Sequence, residues 1–346
     1  MAARLQCMDE SQTYLTPFGL REQPFAPTAD PAYFYATREH KECLFRLWNS
    51  IDSRQGIAVV LGGYGTGKTT LLRKLLVGMR ADPRRYNTAV VGSPIPSWTS
   101  LALLDAIVTQ FGLRSETPSI GAGMDALYQY LLAHRDQINT LIIDDSQNLN
   151  KRGQIELLRL IQNIETQQHK LLNLVLFAQI EWVRVLRAAP NFEQRIDMSY
   201  TLQPIHFEEM RRFIEYRLEC AGARPGAGPE FDEAALRAIH AYAEGNPRLI
   251  VTLCRNALLL AAQLNARRVN PDLILHTIEK TTVPNPDKRA RVAAAVMEEF
   301  KGRAPAAKSF EPANDAGDDA QWDRWSRDQR ATQLLLRGAR SRQGPR

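Results

Sequence analysis

A glycine-rich loop between an apolar strand and an apolar helix restricts the fold of this chain more than any other feature. Residues 57–61 are all apolar and are followed by glycine, which predicts a short strand buried on both faces. The loop Gly62–Thr69, GGYGTGKT, fits G-x-x-x-x-G-K-[ST] at every fixed position, and Thr70–Leu76 continues with leucines at helical spacing. A strand, such a loop and a helix in this order predict a site for phosphate groups.

The residues of this loop have distinct expected roles. Glycines let successive backbone N–H groups turn inward on an anion, and the following helix presents its positive dipole end. Lys68 is expected to reach the β- and γ-phosphates of a nucleoside triphosphate, and the Thr69 hydroxyl to ligate Mg²⁺. The predicted phosphate-binding residues are Gly62, Gly63, Tyr64, Gly65, Thr66, Gly67, Lys68, Thr69 and Thr70.

Two acids follow a second apolar segment. Thr140–Ser146, TLIIDDS, predicts a buried strand that runs into Asp144 and Asp145. Asp144 is placed to hold Mg²⁺, and Asp145 is placed to polarise a water that attacks the γ-phosphate. The alternative is that the two acids only keep a surface loop solvated. Gln179 follows the next predicted strand, at residues 171–177. Its amide is placed to contact the γ-phosphate or that water, with a polar residue that simply ends a strand as the alternative.

The chain changes character near residue 204. Strands and helices alternate from residue 57 to 203, which indicates a three-layer α/β structure with a parallel sheet, and only helices are predicted afterwards. These helices are Phe207–Ala221, Phe231–Glu244, Pro247–Leu264 and Pro271–Thr281. The predicted division is an N-terminal arm at 1–36, an α/β core at 37–203, a helical lid at 204–284 and a flexible basic tail at 285–346.

Both ends of the chain differ from the middle in composition. Residues 17–35 carry four prolines and five aromatic residues, which predicts an extended arm packed on the domain. Two roles are open for this arm: it packs on the surface of the domain alone, or it forms a wall of the adenine pocket. The tail is rich in Ala, Gly and Pro up to about residue 318, which predicts disorder. Residues 319–338 predict a short helix with Trp322 and Trp325, either a docking peptide for a protein partner or a non-functional extension.

Charge and cysteine content exclude several classes. The net charge is +6, but residues 281–346 contribute +4 of it, so the global basicity is weak evidence for nucleic-acid binding. The four cysteines lack metal-ligand spacing, which favours reduced thiols. No signal peptide is visible, and the most apolar segment, Leu249–Leu264, contains Arg255 and is too short for a membrane span. We therefore expect a cytoplasmic protein without a membrane span.

Several segments together resemble the AAA+ ATPases of the ExeA/GspA-like group. They are FGLREQPF from Phe18, the GGYGTGKTT loop, LIIDDSQNL, FAQIEW, EQRI and EGNPRLI, and the resemblance covers roughly residues 14–280. TnsC/TniB-type transposition ATPases share the same architecture and most of these motifs. The resemblance implies a P-loop NTPase (AAA+) fold with a small all-α lid. It also implies ATP and Mg²⁺ as ligands, and a homo-oligomer, either a ring or a filament.

The resemblance also assigns residues to roles in hydrolysis. The loop lysine and threonine correspond to the Walker A pair, and the first strand-end acid to the Walker B acid. Gln179 takes the sensor 1 position, and Arg248 takes the sensor 2 position in the lid. Arg195 is the expected arginine finger that acts on the nucleotide of the neighbouring subunit, with Arg184 and Arg187 as alternatives.

One residue departs from the family pattern. The second strand-end acid is usually Glu, whereas here it is Asp145. The side chain is one methylene shorter, about 1.5 Å less reach by ordinary bond geometry. Because water positioning is sensitive to displacements of that size, we predict slower hydrolysis with ATP binding intact.

Three functions are consistent with the sequence. The first is a DNA-associated transposition regulator resembling TnsC/TniB, with double-stranded DNA and a transposase as partners and local basic patches such as Arg267-Arg268 or Lys151-Arg152. The second is an ExeA/GspA-like secretion or envelope-assembly ATPase. Relatives in that role commonly carry a transmembrane helix and a periplasmic domain after the lid, and we expect neither here. The third is an ATP-binding module with little hydrolysis.

Overall fold

A parallel sheet forms the centre of the protein. The structure is a computed structural model that describes residues 14–28, 30–113, 119–224, 226 and 228–301. Its five-stranded sheet has the order β2-β3-β4-β1-β5, and all neighbouring strands are parallel. The strands are β1 (Ile57–Gly62), β2 (Tyr86–Val91), β3 (Ile138–Ile143), β4 (Asn173–Gln179) and β5 (Ile196–Leu202).

Helices cover both faces of this sheet, as the alternating pattern predicted. Along β1, Ile57, Val59 and Leu61 pack into one apolar layer, whereas Ala58 and Val60 pack into the other. A strand buried on both faces therefore explains the unbroken apolar run. One layer contains α1 (Arg38–Asp52) and α2 (Lys68–Ala81). The other contains α3 (Ser100–Gln110), α4 (Ile120–Ala133), α5 (Arg152–Gln162), α6 (Val183–Arg187) and α7 (Pro190–Glu193).

Local contacts set the ends of several elements. Strand β3 begins at Ile138, before the predicted residue 140, and ends at Ile143, directly before the two acids; Asp145 then adopts a left-handed backbone with φ of 50°. Helix α4 begins at Ile120, where the Ser119 hydroxyl accepts a hydrogen bond from the Ala122 N–H at 3.1 Å. Helix α5 ends at Gln162, and a short bridge pairs residues 165 and 170 after it.

A helical lid follows the sheet domain. Two-residue strands β6 (Glu230–Phe231) and β7 (Arg268–Val269) pair in parallel at its edge. Its helices are α8 (Phe207–Cys220), α9 (Glu233–Ala243), α10 (Pro247–Gln263), α11 (Pro271–Thr281) and α12 (Pro286–Lys301). Among the described residues, no helix is both long enough and apolar enough to cross a membrane.

Helix α12 corrects the expectation that residues 285–346 form a flexible tail. Val292 and Val296 are buried in the apolar core of the lid, and the Lys288 ammonium lies 5.0 Å from the centre of the Tyr242 ring. The helix forms because its two valines recur at i, i+4 and gain burial against α9. The lid therefore extends to residue 301. The predicted docking helix at residues 319–338 lies outside the described residues.

The N-terminal arm packs on the lid. Phe18 and Phe25 are fully buried in the lid core. Arg217 of α8 is buried beneath the arm, and its Nε donates to the Pro24 carbonyl at 2.7 Å and its Nη1 to the Tyr33 carbonyl at 3.3 Å. These contacts give the arm a packing role in the lid. A role in walling the adenine pocket stays a prediction.

Candidate nucleotide-binding site

The phosphate loop begins at the carboxyl end of β1, between β4 and β5. Residue Gly62 at the end of β1 lies between Gln179 of β4 and Leu202 of β5. Gly65 and Gly67 have φ of 73° and 97°, in the left-handed region that favours glycine. These turns carry the chain directly into α2, whose N-terminus is the kind of helix end that binds phosphate.

Lys68 is held inside the loop. Its ammonium donates to the carbonyls of Gly62 and Gly63, at 2.8 Å each. Burial lowers the pKa of Lys68, while the nearby Asp144, Asp145 and Glu181 carboxylates raise it. An ammonium has three N–H donors, and these two carbonyls use two of them. The third is available to a phosphate oxygen, which fits a nucleoside triphosphate.

A hydroxyl and a carboxylate meet at the candidate magnesium site. The Thr69 Oγ1 donates to Asp144 Oδ2 at 3.0 Å. Burial raises the pKa of Asp144, whereas the Thr69 hydroxyl and the Asp145 backbone N–H lower it. Hard oxygen ligands of this kind suit Mg²⁺, which in nucleotide sites takes its other ligands from phosphates and water. Among the described residues, no three His, Cys, Asp or Glu side chains form a metal-binding cluster.

The second acid, Asp145, is held on both carboxylate oxygens. Ser93 Oγ donates to its Oδ2 at 3.3 Å, and Gln147 Nε2 donates to its Oδ1 at 2.9 Å. The Gln147 side-chain oxygen in turn accepts from the backbone N–H of Gln179 at 3.2 Å. The structure therefore brings Asp145 and Gln179 into one hydrogen-bonded group, whose roles in hydrolysis stay predictions.

The lid touches the phosphate loop through the turn before α10. Asn246 Nδ2 donates to the Tyr64 carbonyl at 2.6 Å, and its Oδ1 caps α10 by accepting from the Arg248 N–H at 3.0 Å. Gly65 permits this approach, because a Cβ there would lie 2.5 Å from Asn246 Oδ1 and 2.7 Å from Arg248 Cβ. Arg248 therefore starts beside the loop, where a sensor 2 residue is expected.

His40 of α1 supports the loop from behind. It is buried, and its Nδ1 lies 2.8 Å from the Thr37 hydroxyl. A Cβ on Gly67 would lie 3.0 Å from His40 Nε2, so the ring packs against the loop backbone. Burial lowers the pKa of His40, although nearby Glu209 and Glu39 raise it. The ring is thereby favoured in its neutral form.

The first candidate arginine finger, Arg195, lies apart from this group. Arg195 precedes β5, whose first residue pairs with Ile57 and whose last pairs with Gly62. It therefore lies at the sheet edge opposite the phosphate loop of its own chain. Its Nη1 donates to Asn163 Oδ1 at 2.5 Å, and Arg184 and Arg187 are also exposed.

Sequence reasoning missed four residues of this site. Asn246 and Gln147 lie in the segments GNPR and DDSQN, in which only neighbouring residues were given a role. Both stand where capping and turn residues occur, and that position was the available signal. Ser93 and His40 carried no signal, because a serine in a loop and a lone histidine on a helix are ordinary. Their importance comes from contacts across the fold.

Fold and site together define a class. The chain combines a parallel sheet of order β2-β3-β4-β1-β5 with a phosphate loop after β1, an acid after β3 and a helical lid. These are the features of a P-loop NTPase of the AAA+ type. Residues 51–186 match the family model described as AAA domain. Over 268 residues the chain is 32% identical to general secretion pathway protein A of Aeromonas hydrophila, which covers 76% of this chain and 47% of that protein. The chain thus has an AAA+ fold and is similar to general secretion pathway protein A, about half of whose length it spans.

Solved structures show the same fold. Cdc6p from Pyrobaculum aerophilum aligns with a TM-score of 0.57 at 17% identity, over 82% of this chain and 86% of that chain. Drosophila ORC bound to DNA aligns with a TM-score of 0.56 at 16% identity, over 84% of this chain and 79% of that chain. At these identities the likeness concerns the fold alone, and it confirms the predicted AAA+ architecture.

Proposed function

We propose that this protein hydrolyses ATP and works as an oligomeric nucleotide switch. The observation that carries the proposal is the contact between the lid and the phosphate loop, a hydrogen bond from the Asn246 side chain to the Tyr64 carbonyl. A change in the loop on nucleotide binding or hydrolysis therefore acts directly on the N-terminus of α10. The lid would convert the state of the nucleotide into a change of domain angle and of assembly.

The residues of the site divide the chemistry among them. Lys68 and the N-terminus of α2 bind the phosphates, and Thr69 with Asp144 would hold Mg²⁺. When bound, Mg²⁺ neutralises phosphate charge and orients the phosphates for displacement. Asp145 accepts a hydrogen bond from the attacking water and directs it at the γ-phosphate, and Gln147 joins it to the backbone N–H of Gln179.

Two further arginines complete the switch in this proposal. Arg248 reaches the γ-phosphate from the lid, since its Cβ lies against the loop at Gly65. Arg195, at the far edge of the sheet, serves the site of a neighbouring subunit in a ring or filament. A guanidinium supplied in this way stabilises the charge that develops in phosphoryl transfer.

ATP turnover by the purified protein tests this proposal. Lys68→Ala is expected to abolish ATP binding and turnover, because it removes the ammonium from the phosphate loop. Lys74→Ala is the matched control, since Lys74 is exposed on the same helix. Loss of turnover in the first variant alone supports the site. Retained ATP affinity in Lys68→Ala contradicts it.

For the process that the switch serves, we propose a DNA-associated regulator resembling TnsC/TniB. Support comes from the fold shared with Drosophila ORC, which was solved bound to DNA, and with Aeropyrum pernix ORC1, solved in complex with DNA. A secretion or envelope-assembly role is the second candidate, favoured by the 32% identity to general secretion pathway protein A. Weak hydrolysis at Asp145 would instead make the protein an ATP-binding module.

Binding to duplex DNA separates these candidates. A gel shift is done with and without a non-hydrolysable ATP analogue, at low and at physiological salt. ATP-dependent binding that weakens with salt supports the DNA-associated role, since phosphate contacts release counterions. Absence of binding at low salt contradicts that role and leaves the secretion candidate.

A further inference from the structure

Gln147 joins the second acid to the end of the neighbouring strand. Its Nε2 donates to Asp145 Oδ1 at 2.9 Å, and its side-chain oxygen accepts from the Gln179 N–H at 3.2 Å. Both ends of one amide are therefore used, one by a carboxylate and the other by a backbone donor. Only Asn and Gln side chains carry a donor and an acceptor on one such planar group.

The turn that carries Gln147 is fixed at two places. This turn is the 3₁₀ segment Ser146–Asn148, directly after Asp145. Ser146 is fully buried, and its hydroxyl donates to the Ile143 carbonyl at 3.0 Å. Asn148 Nδ2 donates to the Pro94 carbonyl at 2.9 Å. The turn is thus anchored to β3 and to the loop after β2, so Gln147 starts from a well-defined backbone.

Anchoring continues one residue further along. Trp182 is buried, and its indole N–H donates to the Leu149 carbonyl at 2.9 Å. This bond joins the end of the turn to the segment after β4. Gln147 and Trp182 therefore connect the same two loops, and the distance between the ends of β3 and β4 is held from two points.

The backbone of Gln179 needs the partner that Gln147 supplies. Strand β3 ends at Ile143, which pairs with Leu176 of β4. Beyond that pair β4 continues without β3 beside it, and Gln179 pairs only with Gly62 of β1 in the ladder. A half-buried N–H without a partner is costly, so the Gln147 side chain replaces the missing strand.

We propose that Gln147 is a positioning residue for ATP hydrolysis, which orients the Asp145 carboxylate and couples it to the Gln179 end of β4. This inference rests on the proposed ATPase function. Gln147 acts through Asp145 and not on the nucleotide, so it affects the turnover step and leaves binding at the phosphate loop unchanged. Asp145 has a left-handed backbone, with φ of 50°, and the two side-chain bonds from Gln147 and Ser93 keep its carboxylate in one orientation.

Two substitutions separate the donor and acceptor roles. Gln147→Met keeps the length of the side chain and removes both hydrogen bonds. Gln147→Glu keeps an acceptor for the Gln179 N–H but places a carboxylate against Asp145. Gln167→Met is the matched control, because Gln167 is exposed in the loop between α5 and β4.

Steady-state ATP hydrolysis decides the proposal. We expect kcat to fall about tenfold or more in both Gln147 variants, since a displaced catalytic group costs on the order of 10- to 100-fold. The KM for ATP and the affinity for a fluorescent ATP analogue are expected to stay within about threefold of wild type, because the phosphate loop is untouched. The control keeps the wild-type kcat.

Three results would contradict the proposal, and the measurements distinguish them from one another. Wild-type kcat in both Gln147 variants overturns the positioning role. Parallel loss of kcat, ATP affinity and thermal stability in both variants also overturns it, since Gln147 then acts only on folding. A variant that fails to fold leaves the decision to the other one. Absence of turnover in the wild-type protein overturns the proposed function itself, and the role of Gln147 falls with it.

Discussion

Asn246 of the lid donates a hydrogen bond to the Tyr64 carbonyl of the phosphate loop, at 2.6 Å between Nδ2 and O. The same side chain caps α10 through its oxygen. One residue thereby fixes both the start of a lid helix and the position of that helix on the nucleotide site. In the proposed switch, movement of the loop would act on α10 directly through this contact.

Removing this bond while keeping the cap isolates its contribution. Asn246→Ser retains a capping oxygen but is too short to reach Tyr64. We expect thermal stability near that of wild type, because Asn and Ser cap helices about equally well. The affinity for ATP is expected to fall roughly threefold to tenfold, as for a hydrogen bond of about 1 kcal/mol. Titration with a fluorescent ATP analogue measures the change.

Asn270→Ser serves as the matched control. Asn270 caps α11 in the same way, with Pro271 after it as Pro247 follows Asn246. Its contacts lie within the lid, at the Leu273 N–H. Equal ATP affinities for the two variants would show that the contact with Tyr64 has no effect on nucleotide binding.

Gly65 is expected to tolerate no side chain. Its φ of 73° is left-handed, and a Cβ would lie 2.5 Å from Asn246 Oδ1. Gly65→Ala should lower the free energy of unfolding by about 1–2 kcal/mol for the backbone alone, and by more through the clash with the lid. Gly63→Ala should change it by less than about 1 kcal/mol, since the nearest atom is 3.7 Å away. Urea unfolding compares the two, and equal losses would contradict the prediction.

His40 makes the stability of the protein depend on pH. Burial lowers the pKa of His40 in the folded state below its ordinary value of 6.5. The folded state then binds fewer protons than the unfolded state, so stability is present above pH 6.5 and is lost as pH falls below it. His40→Gln removes this contribution.

Urea unfolding at pH 7.5 and pH 5.5 measures the effect, since these values lie about one pH unit to either side of an ordinary histidine pKa. We expect wild type to lose more stability than His40→Gln between the two values. The difference between the two proteins isolates His40 from other titrating groups. A pH dependence that is the same in both would show that the His40 ring is not held neutral against the loop.

Lengthening Asp145 is expected to accelerate hydrolysis. The carboxylate of Asp145 is one methylene shorter than the usual glutamate, and Asp145→Glu returns about 1.5 Å of reach. We expect kcat to rise about tenfold with the KM for ATP little changed, because only the position of the water differs. Asp145→Asn, which removes the proton acceptor, should lose most turnover. No gain in Asp145→Glu would refute the explanation from reach.

Local patterns predicted the elements better than their ends. The apolar run and the leucine spacing around the phosphate loop correspond to β1 and α2. By contrast, β3 begins at Ile138, two residues before the predicted Thr140, and an apolar pattern does not reveal the left-handed turn of Asp145 after the strand. Helix α12 was missed because its alanine-rich sequence lacks a strong apolar stripe, and it is stabilised by burying Val292 and Val296 against the lid.

The sequence by itself determined the phosphate loop, since glycine conformations and the strand-to-helix transition are properties of neighbouring residues. Only the tertiary structure decided which distant residues meet. Thr69 and Asp144 are 75 residues apart, and Tyr64 and Asn246 are 182 apart. Their contacts depend on the strand order and on the docking of the lid, which arise from packing across the whole chain and leave no trace in a local pattern.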